Sequence, residues 1–489
     1  MKLKKMLMLF SLLLALSFTF SACEVGKSNA NGDQKQGSEI EFKDAASHIT
    51  YANFNTFTLK NMGFDAKATV KGDFKKIFGS VMSGAENQKY VDFLDELLNN
   101  MTIKYNLYYK YDEDHKIPKV NLSYGLLLND RDFADILIAT GKDKLGFSLP
   151  AISDKGVSIT YQELTKDSGE NEIQMMKAIL ALDYVKYVDL ILGDKKAYDF
   201  YSEDLANYKP IYDKYLNESF VKTDTQSVER DGKTIAVTEY KGTYDLKKNI
   251  ELQRALLNEA KEDKKLQQLI LDKALLVTEE FLNSKDYEAF GYSEERVKKT
   301  RDELATADIN DPGFQADWKK GIEESLAKLD RQESQDPNMM KLFENTVVET
   351  VVRINEENKL DSYSMHLAVN DPSLNGELAF DIEMLTKQVE DSDFADVEKF
   401  YTIDDLSAMS QADMLPYLSE NKEMIKYMKE YGLEIINYFL ESENVKPLYE
   451  MMDKHKLNLE KSMIEMYLMQ TRIELENMNV DAIPDASGN

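Results

Sequence analysis

The chain has 489 residues, a formal net charge of −28, 43% hydrophobic and 10% aromatic residues, and a single cysteine. A polyanion repels phosphate backbones and anionic headgroups, and no local basic patch offsets it here, so the composition argues against nucleic acid as a partner. One thiol excludes an internal disulfide and a thiolate metal site, while the apolar content suffices for one large core or two ordinary ones.

The first residues, Met1-Lys2-Leu3-Lys4-Lys5, form a cationic start before the apolar run from Met6 to Phe20 and then Ser21-Ala22-Cys23. This order predicts an export signal over residues 1–22. The apolar run is shorter than the roughly 20 residues of a spanning helix and ends in small residues. The segment Phe20-Ser21-Ala22-Cys23 resembles the bacterial lipobox, with Phe20 where that motif usually has leucine. The resemblance implies acylation of Cys23, the lipidation site, which becomes the mature N-terminus and a membrane anchor. Two or three acyl chains, at about 0.8 kcal/mol per buried methylene, hold a protein almost permanently. Residues 23–41 are rich in Gly, Ser, Asn, Gln and Lys and predict a flexible tether; a coil of about 16 residues spans roughly 20 to 25 Å.

Residues 42–217 read as a first α+β unit. Phe64, Ala66, Ala68 and Val70 alternate with polar residues, the period of a half-buried strand. A helix is predicted from Gln88 to Asn99. Ile103, Tyr105, Leu107, Tyr109 and Tyr111 then alternate with Lys104, Asn106 and Lys110. After the polar turn Asp112-Glu113-Asp114-His115-Lys116, the residues Val120, Leu122, Tyr124 and Leu126 complete an antiparallel hairpin with one apolar face. Short strands are expected at 136–140, 145–149 and 156–161, and helices at 172–192 and 196–216.

Residues 218–480 read as a second unit with a helical C-terminal part, followed by a tail, 481–489. A hairpin turning at Asp231-Gly232 opens it, and helices run from Lys247 to Leu329. From Val348 the earlier hairpin recurs at an offset of 243: Tyr109 meets Val352, Leu122 meets Met365, and even the turns agree, Asn355-Glu356-Glu357-Asn358-Lys359 standing for Asp112-Glu113-Asp114-His115-Lys116. The fold class expected is therefore α+β, with two similar antiparallel sheets and packed helices. Glu420 to Phe439 and Leu448 to Leu475 carry apolar residues at helical spacing. Ten of the 22 methionines lie between Met409 and Met478, and filling an irregular core is their expected use.

A search for chemistry returns little. His48, His115, His366 and His455 have no second histidine or cysteine at ligand spacing, so no metal site is expected and each reads as a surface or turn residue. Phosphate loops and nucleophile elbows are missing, so no cofactor is expected. Asp308-Ile309-Asn310-Asp311-Pro312-Gly313 begins like a calcium loop, but Pro312 offers no side-chain oxygen and Asp311-Pro312 reads as a helix start.

The lipobox, the tether and the paired units resemble the large acidic lipoproteins of Gram-positive, particularly clostridial, bacteria. The inferred sheets are similar in outline to the half-barrels of lipoprotein carriers and of mycobacterial-type lipid-binding lipoproteins, which implies a groove for acyl chains. The leading functional expectation is a non-enzymatic binding or scaffolding lipoprotein facing outside the cytoplasm, with an unknown protein or apolar ligand as partner. The alternative is a carrier or sensor of lipid whose ligand-binding wall contains Tyr105, Tyr109 and Tyr124; a carboxylate-based hydrolase is a third. Tyrosine points to the carrier because its hydroxyl favours surfaces that are apolar yet partly wet. Tyr108 is expected on the opposite face.

Overall fold

The computed structural model describes residues 42–56, 60–79, 82, 84, 87–112, 117–164, 183–230, 232–244, 246–335, 346–369, 376–403 and 422–480. Its centre is one sheet. The strands are β1 (Asn61–Gly72), β2 (Met101–Asp112), β3 (Ile117–Leu128), β4 (Arg131–Thr140), β5 (Lys144–Ser148), β6 (Gly156–Thr160), β7 (Phe220–Arg230), β8 (Lys233–Tyr244), β9 (Thr346–Asn355), β10 (Leu360–Val369), β11 (Leu378–Lys387) and β12 (Tyr401–Ile403). They lie in the order β12-β6-β5-β4-β3-β2-β1-β11-β10-β9-β8-β7. Among the described residues only the β12–β6 pair is parallel.

The internal repeat is visible in the registers. Tyr109 pairs with Val120 and Leu107 with Leu122 in the first hairpin, while Val352 pairs with Tyr363 and Thr350 with Met365 in the second. All four positions are related by the same offset, since 352 − 109 and 363 − 120 both equal 243. The strands β8-β9-β10-β11 repeat the meander β1-β2-β3-β4 one unit further along the sheet. Two separate sheets were expected, and here the structure corrects the sequence. The meanders join edge to edge through β1 and β11, from Gly63 opposite Lys387 to Gly72 opposite Leu378. Joining them pairs backbone groups that two separate sheets would leave open at their edges. Alternation within a strand does not reveal which edges meet.

Helices sit on both faces. They are α1 (Ala45–Thr56), α2 (Phe74–Gly79), α3 (Gln88–Asn99), α4 (Tyr184–Leu192), α5 (Lys209–Ser219), α6 (Leu246–Glu262), α7 (Lys264–Asn283), α8 (Glu294–Ala305), α9 (Pro312–Gln335), α10 (Lys422–Glu441), α11 (Lys446–Lys454) and α12 (Asn458–Asn477). The α9 start is the expected one: the Asp311 carboxylate accepts from the backbone N–H of Gly313 at 2.8 Å and of Phe314 at 3.1 Å, capping the helix. Helix α1 was not anticipated, and it closes the main core. Its Ile49 and Ala52 pack on Tyr240, Val352, Ile354 and Leu360 of β8, β9 and β10. A second core joins Leu192 of α4 to Phe200, Leu205, Tyr208 and Ala260 of α6.

The opposite, polar face of β3 to β6 is covered by α10 and the segment 391–400. Gly146 and Gly156 lie beneath the Phe400 ring, which a Cβ at either position would approach to 2.8 Å. The Tyr427 hydroxyl donates to the Gly156 carbonyl at 2.5 Å and accepts from its N–H at 2.9 Å. Polar residues at β7, β8 and β9 form a buried network on that face: Glu239 accepts from Arg353 Nε at 3.0 Å and from the Thr223 hydroxyl at 3.1 Å. These contacts hold its carboxyl below the usual range despite burial, which acts the other way.

His48 departs from its expected surface position, because α1 carries it into the core. Its Nε2 lies 3.0 Å from Asn358 Oδ1 and its Nδ1 2.8 Å from the Tyr240 hydroxyl, and the Phe42 ring stacks on it at 4.3 Å. The contacts fit a neutral ring donating through Nε2 and accepting at Nδ1. Burial lowers its pKa from the ordinary 6.5, with Lys222 acting the same way and the Asn358 bond opposing. Below the unfolded value the unfolded chain binds the extra proton first. Stability should therefore fall as pH drops from about 6.5 towards the lower folded value. Thermal melts between pH 7.5 and 5 are expected to show a steeper decline for the wild type than for His48→Gln. Parallel curves for the two would contradict this assignment.

Candidate ligand-binding face

Because side chains alternate along each strand, the aligned registers assemble one apolar row across eight strands. From β8 to β4 it reads Tyr240, Val352, Tyr363, Met384, Ala66, Tyr105, Tyr124 and Ile136, each opposite the next. A neighbouring row runs Phe64, Leu107, Leu122, Ile138, Phe147 and Val157. The two ends of the first row differ. Tyr240 and Val352 are sealed beneath α1, whereas Tyr124 is 49% exposed and Ile136 52%. Ile103, beside them on the same face of β2, is 41% exposed. None of Ala66, Ala68, Tyr105, Leu107, Leu122, Leu126 and Ile138 is buried either.

The three tyrosines named from sequence are divided by this arrangement. Tyr105 and Tyr124 meet edge to face, ring centroids 5.0 Å apart at 62°, a favourable aromatic geometry. Partial burial and then the neighbouring Tyr124 raise the pKa of Tyr105, so its hydroxyl stays protonated and able to donate. Tyr109 lies at the other end of β2, packed against Tyr111 and Val185 of α4, and the Tyr111 hydroxyl donates to Asp183 at 2.8 Å. Tyr108 points to the opposite face as expected, donating to Asp65 at 2.6 Å with Lys387 4.4 Å from its ring centroid. Sequence reading missed Ile103 and Ile136 as members of the site. The signal was present in both, since each continues the alternation of its strand.

On β1 to β4 the rows offer the hydroxyls of Tyr105 and Tyr124 and otherwise hydrocarbon, and they carry no carboxylate, lysine, arginine or histidine. That suits holding an apolar group. Cys23 and His115 lie outside the described residues, as do Glu113 and Asp114 of the acidic turn. Among the described residues there is no grouping of three or more His, Cys, Asp or Glu side chains spaced to hold a metal, and no helix long and apolar enough to cross a membrane. Comparison with protein-family models, curated proteins and solved structures returns no match.

The methionines divide as well. Met424, Met451 and Met452 are core residues, as expected. Those of α12 are not: Met463, Met466 and Met469 stand exposed beside Tyr467 and Ile473, and no residue of that helix is buried. Helix α12 is held to α10 by polar contacts, among them Arg472 to Glu441 at 2.8 Å and Lys429 to the Met478 carbonyl at 2.9 Å.

Proposed function

We propose that the protein is a lipid-anchored, extracytoplasmic binding protein that holds an apolar ligand, such as an acyl chain, on the open face of β1 to β4. The reading rests on one observation above all: Ile103, Tyr124 and Ile136 adjoin on a sheet face whose other end is sealed by a helix. A folded chain rarely leaves such a patch uncovered without a binding role. The dimensions are compatible with this occupant. The part of the row on β1 to β4 is about 14 Å wide at roughly 4.8 Å per strand, close to the length of one acyl layer, about 15 Å or half of a bilayer core of roughly 30 Å. Each methylene moved from water onto such a surface contributes about 0.8 kcal/mol. The tyrosine hydroxyls are placed to hydrogen-bond a polar head at the edge of the hydrocarbon.

Mass spectrometry of lipids co-purifying with the protein in its native state distinguishes this carrier role from pure scaffolding. A stoichiometric lipid is expected, and its absence under mild extraction leaves the scaffold reading. The anchor is tested separately. Metabolic labelling with a clickable fatty acid is expected to mark the wild type but not Cys23→Ser, which is released or keeps its signal. Equal labelling of both would overturn the anchor.

A further inference from the structure

A second site lies away from the sheet face, in a cleft of about 580 Å³ between α1, the short helical segment 197–204 and the start of α5. That volume falls within the roughly 300–1,000 Å³ of ordinary small-molecule sites. Its aromatic lining is Phe42, Tyr51, Phe54 and Tyr198. Tyr51 and Tyr198 meet at 5.1 Å and 74°, Phe54 and Tyr198 at 6.1 Å and 71°, and Phe42 and Tyr51 at 5.3 Å. The rings therefore present faces as well as edges to the cleft. The Tyr51 and Tyr198 hydroxyls have no hydrogen-bond partner among the described residues.

The remaining seven of the eleven lining residues are polar, and their charges, three lysines against two aspartates, cancel only with Asp213 beside them. Lys43, Lys196 and Lys209 face Asp44 and Asp199, and Lys209 is further neutralised by its ion pair with Asp213. We propose that this cleft binds a neutral oligosaccharide. A pyranose has a face of weakly positive C–H groups that suits the negative face of an aromatic ring. Its hydroxyls both donate and accept, as a rim of ammonium, carboxylate and phenol groups requires. An anion would call for a surplus of cations. A quaternary ammonium would call for a surplus of carboxylates, and an acyl chain would desolvate a mostly polar lining.

Isothermal titration of the full chain with maltotetraose, cellotetraose and chitotetraose, and with inorganic phosphate and choline as controls, tests the assignment. At least one oligosaccharide is expected to bind and the controls are not. Tyr198→Ala should weaken binding about tenfold, roughly 1.4 kcal/mol. The double variant Tyr51→Phe, Tyr198→Phe keeps both rings and loses only the hydroxyls. It should weaken binding severalfold with an unchanged thermal melt, and it decides the matter if Tyr198→Ala does not fold. Binding of none of the three sugars, binding of phosphate or choline in their place, or sugar affinity unchanged in the double variant would overturn the proposal.

Discussion

Replacing Ile354 by alanine is expected to cost about 2–5 kcal/mol of stability, the range for deleting a large aliphatic side chain from a packed core. Ile354 is 0% exposed. It stands on β9 opposite Thr238 of β8 and Leu360 of β10, with Ile49 and Ala52 of α1 in the same cluster. The cavity would open where α1 meets the sheet, and neighbours fixed by two strand ladders cannot collapse into it. A lower urea midpoint with an unchanged slope is the expected result. A midpoint within experimental error of the wild type would mean that α1 does not seal this end of the face.

At the open end the opposite balance holds. The double substitution Tyr124→Asp, Ile136→Asp places two carboxylates on residues about half exposed, so their charges remain hydrated; the lost ring contact with Tyr105 and the like charges set opposite each other should cost folding about 2 kcal/mol. A bound acyl chain, however, would cover them, and burying unpaired carboxylates is expensive. Binding of a fluorescent fatty acid to the full chain should therefore weaken by well over tenfold, more than 1.4 kcal/mol, while the urea transition moves lower but stays cooperative, so that the chain is folded under the conditions of the binding assay. Tyr109 is a poor place for this test. It packs against Val185 and Tyr111, so a carboxylate there would disturb the fold as well as any ligand. Unchanged affinity in the double variant would remove the sheet face from the account.

Much of the fold was legible because alternation is a local property. The apolar positions of β2 and β3 set both the strands and the face they share, and the 243-residue offset carried that pattern to β9 and β10. The joint between β1 and β11 was not legible, since either edge of either meander satisfies the same alternation. Helix α1 escaped notice because Ala45–Thr56 mixes polar and aromatic residues with little one-sided apolar character; tertiary contacts to Tyr240 and Ile354 outweigh that weak pattern. His48 escaped for the same reason. Its partners, Tyr240 and Asn358, come from distant parts of the chain.

For the site, sequence placed Tyr105 and Tyr124 on one apolar face and the structure adds where that face is open. Openness depends on what the helices reach, which no strand pattern encodes. The aromatic cleft was beyond sequence reading, because Tyr51 and Tyr198 meet only when α1 packs beside the helical segment 197–204. The exposed methionines of α12 show the same limit. Met463 and Met452 look alike in sequence, yet one is exposed and the other buried.

Photo-crosslinking with a diazirine-bearing fatty acid, followed by peptide mapping of the full chain, tests the ligand-binding face most directly. Labels are expected to concentrate on β2, β3 and β4, at or beside Ile103, Tyr124 and Ile136, and to be displaced by excess unlabelled fatty acid. Displaceable labelling confined to the exposed face of α12, or no displaceable labelling at all, would contradict the account.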